Sequence, residues 1–403
     1  MARFAALVER LRSSLWLIPT LFVAGAFVLA AVTLTIDRQI DDDGAVLVFG
    51  GSADGARDVL ATIAQSMLTF TALVFSITML VLQLASSQLS PRVMRTFLRD
   101  RSNQVVLGLF VATFLFTLLV LRDVRSSGSG DEFVPGLSVT LAFVLLLASV
   151  AAFIYYIDHM AHAVRATTVI GRIAAETVDA IDRLYPEALG REPARPSDEA
   201  PDRTHIDATV VADSTGNLVS VDEDGLFAVL RESGVVGELV PVVGEFVADG
   251  QPLFRLRGLV DEDLADQLRA QLSFSDERTM QQDAAFGFRQ LVDIGLRALS
   301  SSTNDPSTAV QAIDRLHELL RRLARREFPS SIRLDERGQP LLIVPRPDWA
   351  DYVRLAVEEL RIAGSGQVQV RRRLNAMLED LATVGGPDRR LALRRELDAM
   401  TAE

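Results

Sequence analysis

The sequence contains no cysteine, which removes disulfides, thiol nucleophiles and thiolate metal sites from consideration. Lysine is missing as well, since all 41 basic residues are arginine. That excludes Schiff-base chemistry, pyridoxal phosphate attachment, a phosphate-loop lysine and lysine-linked lipoyl or biotinyl groups. An arginine bias over the whole chain is what a GC-rich genome produces and says nothing of function. Histidine occurs only 4 times, and no nucleophile or metal constellation accompanies it. With only scattered carboxylates left for chemistry, the chain is not expected to be an enzyme and no cofactor or metal is expected.

Charge is also missing, locally, from four long apolar runs at residues 15–36, 59–85, 105–121 and 137–157. A helix rises about 1.5 Å per residue and the bilayer hydrocarbon is about 30 Å thick, so runs of this length are read as membrane-spanning helices. None contains Asp, Glu, Arg or His, which disfavours a proton relay or charge-coupled transporter. The first run is too long for a signal peptide and lacks a clean small-x-small cleavage pattern.

Orientation follows from arginine placement. Arg3, Arg10 and Arg12 precede the first run, and Arg92, Arg95, Arg99 and Arg101 lie between the second and third. The loop between the first two runs is instead acidic, with Asp37, Asp41, Asp42, Asp43, Asp54 and Asp58. The expectation is a multi-pass protein of the bacterial inner membrane with both termini cytoplasmic. Tyr155 and Tyr156 fall where interfacial aromatics belong.

The formal charge of -12 resides in the part that follows, because residues 1–165 balance Arg against Asp plus Glu. An acidic body argues against nucleic acid as a partner and against contact with anionic lipid.

The second run carries the most polar side chains. Thr62, Thr69, Ser76 and Gln83 recur every seven residues and form one stripe. Gln65, Ser66, Thr71 and Thr78 widen it. Small hydroxylated residues let membrane helices pack closely. The same stripe could line a narrow aqueous path in an oligomer, with hydroxyls and amides replacing ion hydration. Downstream, Pro91 suits the first turn of a short helix on which Arg92, Arg95 and Arg99 share a face. They read as a topology signal on the headgroups, or as a guanidinium ring at a cytoplasmic mouth.

That loop and the run after it, LASSQLSPRVMRTFLRDRSNQVVLGLFVATFLFTLLVLRDVR (residues 84–125), resemble the bacterial membrane family known as domain of unknown function 2254. Residues 278–324, RTMQQDAAFGFRQLVDIGLRALSSSTNDPSTAVQAIDRLHELLRRLA, carry the same resemblance. It implies an integral membrane protein with several helices and a soluble C-terminal half, and it supplies no catalytic or binding residues.

The expected architecture is therefore a membrane domain (1–157), a connecting helix and linker (158–204), a small β domain (205–260) and a mainly helical domain (261–403). The connecting helix spans residues 158–182 and is followed by a Pro-rich stretch at 186–202. His159 and His162, at i and i+3, lack a third ligand and read as packed or interfacial side chains. GELVPVVGEFVADGQPLFRL (residues 237–256) is similar to the hairpin of barrel-sandwich domains, with Gly244 and Gly250 at turns. Residues 261–326 read as helical, broken at 300–306, where Asp305 suits an N-cap and Pro306 the first helical position. A strand pair at 331–344 turns at Arg337 and Gly338 and precedes three helices near 349–362, 367–382 and 387–402. The fold class is thus a four-helix membrane protein with an α+β cytoplasmic body. Its leading functional expectation is an oligomeric channel or passive pore lined by the second helix. The other is a membrane-anchored sensor or scaffold whose body binds a protein or small ligand.

Overall fold

The computed structural model describes residues 17–39, 49–88, 101–125, 133–163, 165–186, 206–384 and 386–402, and the chain divides into two compact units, Met1–Arg165 and Ala166–Glu403. The first contains four helices, each long and apolar enough to cross a membrane: α1 (Leu17–Asp37), α2 (Ala53–Gln88), α3 (Arg101–Asp123) and α4 (Gly136–Ala163). The apolar runs anticipate all four. The helices outrun them because polar first turns, such as Ala53 to Asp58 in α2, lie outside any hydropathy criterion. At 36 residues, α2 is about 54 Å long and exceeds the hydrocarbon thickness.

Small residues let these helices approach. Ala26 and Ala30 of α1, Ala56 of α2 and Ala142 of α4 are buried with Leu60, Met67, Phe116 and Val120. Phe70 stacks on Phe153 at 4.9 Å, with Phe110 tilted against both. Two pairs of polar groups inside the bundle meet across helices, as hydrocarbon favours. Thr113 and Ser149 share a hydrogen bond of 3.2 Å. The Tyr156 hydroxyl lies 2.7 Å from that of Thr78 and donates to the carbonyl of Val74. Tyr156 is therefore no interfacial anchor: it is buried between helices, and α4 continues past it to Ala163. Tyr155 is exposed and stacks on His159.

The expected connecting helix over residues 158–182 is two helices. After α4 the Arg165 amide donates to the His162 carbonyl, and α5 (Ala166–Leu184) begins the second unit. The Pro-rich stretch falls outside the described residues apart from Pro186.

The second unit is a β layer and a helical layer. A five-stranded sheet has the order β1 (Ala208–Val211), β5 (Pro252–Arg257), β3 (Val236–Leu239), β8 (Pro340–Ile343), β7 (Ile332–Leu334). A three-stranded sheet has the order β4 (Phe246–Val247), β2 (Gly216–Val221), β6 (Leu272–Ser275). Both sheets, with α6 (Glu223–Ser233) and α7 (Glu262–Arg269), bury one shared core that includes Leu218, Leu230, Phe254, Leu256, Leu268 and Leu342. All pairings are antiparallel except β3 with β8, where Gly237 aligns with Leu342.

The two ends of residues 237–256 do pair antiparallel, Gly237 opposite Leu256 and Leu239 opposite Phe254, while the short β4 between them pairs with β2 instead. Gly244 and Gly250 do occupy turns, at φ +94° and +79°, which a side chain would disfavour. The block 261–326 is not wholly helical either: β6 interrupts it, pairing with β2. Its later break is as expected, with the Asp305 carboxylate accepting from the amides of Ser307 and Thr308 and Pro306 opening the next helix.

The helical layer comprises α5, α8 (Ala284–Leu299), α9 (Pro306–Leu323), α10 (Trp349–Ala363), α11 (Val368–Val384) and α12 (Pro387–Ala402). Leu316, Leu320, Val353, Leu360, Leu374 and Leu378 are fully buried along its apolar stripes. α5 packs on α8 and α9, α10 on α8, and α11 on α9.

Candidate functional site

In the membrane unit, Thr62, Thr69, Ser76 and Gln83 all lie on the exposed face of α2. Gln65 joins them, whereas Ser66, Thr71 and Thr78 are partly buried, Thr78 being held by Tyr156. The exposed face is more ordered than a seven-residue stripe. Asp58, Thr62, Gln65, Thr69, Ala72, Ser76, Met79 and Gln83 alternate steps of four and three, are all exposed, and fall within one narrow arc. Leu68 and Phe75 flank this seam on one side and Leu73 and Leu80 on the other.

Each hydroxyl of the stripe donates to the carbonyl four residues back: Thr62 to Asp58 at 2.7 Å, Thr69 to Gln65 at 3.1 Å, Ser76 to Ala72 at 2.9 Å. Their protons are satisfied within the helix and their oxygen lone pairs face outward. A carboxamide has no such local route. Among the described residues, the side chains of Gln65 and Gln83 make no hydrogen bond. The exposed residues of α4 between Phe143 and Ile157 are Phe, Val, Leu, Ala, Ile and a single Tyr, as lipid contact demands. Arg92, Arg95 and Arg99 lie outside the described residues.

Asp37 has a role that its place in an acidic loop conceals. Its carboxylate accepts from the amides of Leu137 (2.8 Å) and Ser138 (3.1 Å) and from the Ser138 hydroxyl (2.5 Å), so the end of α1 caps the start of α4. Beside it, Arg38 pairs with Asp123 at 2.5 Å.

In the body, the turn at Gly244 presses against Asp283, the N-cap of α8. Asp283 is 4 % exposed and takes two hydrogen bonds from Arg278, at 3.0 and 2.7 Å. Burial raises its carboxyl pKa against the lowering influence of Arg278. Next to it lie Tyr185 and Tyr352, whose hydroxyls are 2.8 Å apart and whose titration burial pushes up. Arg346 reaches Glu223 at 2.6 and 2.7 Å. These groups line a cavity of about 130 Å³ walled by Val242, Val243, Pro329 and Val344. A shallower cleft of about 300 Å³ shares Val242, Arg346, Pro347 and Tyr352 with it.

Three consecutive arginines, Arg371 to Arg373, open α11; the first two are exposed and the third is tied to α9. Arg373 pairs with Asp314 at 2.5 Å and donates to Nδ1 of His317 at 2.8 Å. Arginine only donates, so the His317 proton sits on Nε2, which donates to Asp380 at 2.8 Å. Asp380 also accepts from Arg321, and these bonds hold its pKa below the usual carboxylate range. His162 hydrogen-bonds the Asp158 carbonyl through Nδ1. Among the described residues no three His, Asp or Glu side chains are placed to hold a metal ion.

The family model described as "Predicted membrane protein (DUF2254)" matches residues 12–380. Uncharacterized proteins of Mycobacterium bovis and Mycobacterium tuberculosis are each 34% identical over 415 residues, which covers 98% of this chain and 77% of theirs. No solved structure matches the chain. Four membrane-length helices followed by a mixed α/β body agree with that match over most of the sequence, and the chain belongs to the DUF2254 family of predicted membrane proteins.

Proposed function

We propose that this membrane protein is a homo-oligomeric channel or passive pore of the bacterial plasma membrane, lined by α2, with both termini and the body in the cytoplasm. The observation that carries this reading is the α2 seam. An exposed row of Thr, Ser and Gln with outward lone pairs suits a partner helix or water and does not suit lipid tails. Gln65 and Gln83 make the demand strongest, because a carboxamide left unbonded in hydrocarbon costs several kcal/mol, on the order of its full desolvation penalty. Copies of α2 meeting along the four-and-three seam would satisfy both and place the hydroxyl oxygens on a common axis.

Protein reconstituted in liposomes should pass ions. Replacing Ser76 by Trp should reduce that flux at least severalfold while the oligomer persists by light scattering. Absence of flux across a broad ion panel would end the channel reading. Orientation is open to direct measurement because the chain lacks cysteine. A cysteine at Ser52 should react with a membrane-impermeant maleimide in intact cells, and one at Ser330 only after lysis. The reverse pattern would overturn the topology. The body cavity supports a second reading, a membrane-anchored sensor for a small ligand.

A further inference from the structure

The cavity in the body keeps more hydrogen-bond donors than its wall uses. Tyr185 and Tyr352 are 6 % and 1 % exposed. Their two hydroxyls bring two protons but form one bond between them. Among the described residues the second proton has no acceptor, which leaves a buried hydroxyl short of one hydrogen bond. Nε of Arg346, on the same cavity wall, is likewise buried and without an acceptor. Both donors belong to residues that line one hollow. The charges around it are already matched, Arg346 against Glu223 and Arg278 against Asp283. Glu223 and Asp283 line the cavity with their cations already engaged, so they repel an entering anion, whereas an uncharged acceptor escapes that repulsion and is offered the remaining donors beside the apolar walls of Val242, Val243, Pro329 and Val344.

We propose that this cavity binds a small uncharged molecule through a carbonyl oxygen, which accepts from the tyrosine pair and from Arg346 Nε. The volume of about 130 Å³ holds a head group of a few heavy atoms, and the adjoining cleft of about 300 Å³ leaves room for the rest of the molecule. Ala285, Leu355 and the Asp351–Arg354 pair border that outer part. The chemical class is an amide or ketone with a short apolar substituent. The site is independent of whether α2 lines a pore.

Propionamide and propionate have nearly the same shape and differ in charge, so they test the assignment. Saturation-transfer NMR on the full chain in detergent should show saturable propionamide binding, with propionate about tenfold weaker. The Tyr185→Phe/Tyr352→Phe double variant and, separately, Arg346→Lys, which keeps a cation for Glu223 but removes Nε, should each weaken propionamide about fivefold. Trp349 fluorescence reports that each variant remains folded, and either variant alone suffices. Equal or tighter binding of propionate would overturn the uncharged class. No saturable binding of either probe up to tens of millimolar, or binding undiminished in both variants, would leave a water-filled cavity and overturn the site.

Discussion

Asp37 caps a helix by accepting from an amide 100 residues further on. Replacing it by Ala strands the amides of Leu137 and Ser138 at the start of α4 and should lower stability in detergent by about 1–2 kcal/mol, read from a denaturant midpoint. An unchanged midpoint would mean that water substitutes fully at that end. Nothing near Asp37 in the sequence announces the role, because a cap supplied from another helix has no local spacing. Asp305, by contrast, caps its own helix two and three residues on and was legible for that reason. In the body, Asp182 is held by Arg322 and Arg326, which keep its pKa below the unfolded value. Its contribution is present above the unfolded pKa, about 3.9, and is lost as pH falls through the lower folded value. Asp283, raised by burial, acts with the opposite sign. Asp182→Asn should therefore flatten the acid side of the melting-temperature profile below about pH 4 and leave the slope near neutrality unchanged.

Helices α5 and α8 touch where a side chain is absent. A Cβ on Gly287 would lie 1.9 Å from the hydroxyl oxygen of Thr177, which is itself fully buried. Gly287→Ala should cost about 1–3 kcal/mol by overpacking, and adding Thr177→Ala should recover part of that loss in a double-mutant cycle. Strict additivity would show that the two helices separate instead of clashing. Elements with a strong physical requirement were readable in advance. Lipid demands long charge-free runs, turns at Gly244 and Gly250 demand positive φ, and α9 follows an Asp-Pro start. β6 was not readable, since four residues, Leu-Ser-Phe-Ser, are too few to set a period between two helices. The α2 seam was legible only where its side chains are polar. Ala72 and Met79 complete its four-and-three spacing but carry no polar signal, and only exposure on the folded unit reveals them.

The whole chain joins a charge-balanced membrane unit to a body that holds the entire net charge of -12. Each has its own core, so urea in detergent should unfold the body while the membrane helices persist. Trp349 is buried on α10 and its indole donates to the Arg389 carbonyl at 3.1 Å, so its emission should shift in one transition well before the remaining helical dichroism is lost. Coincident transitions would show the units to be one cooperative block. The parallel pairing of β3 with β8 adds a constraint in time. Gly237 and Leu342 align across about a hundred residues of intervening chain. During synthesis, β3 and the edge it offers must wait, unpaired on that side, until α8 and α9 have left the ribosome. α1 to α4 are complete by then, so the nascent protein is already lodged in its membrane while its sheet is still open, a window in which a holding chaperone would find β3 before β8 does.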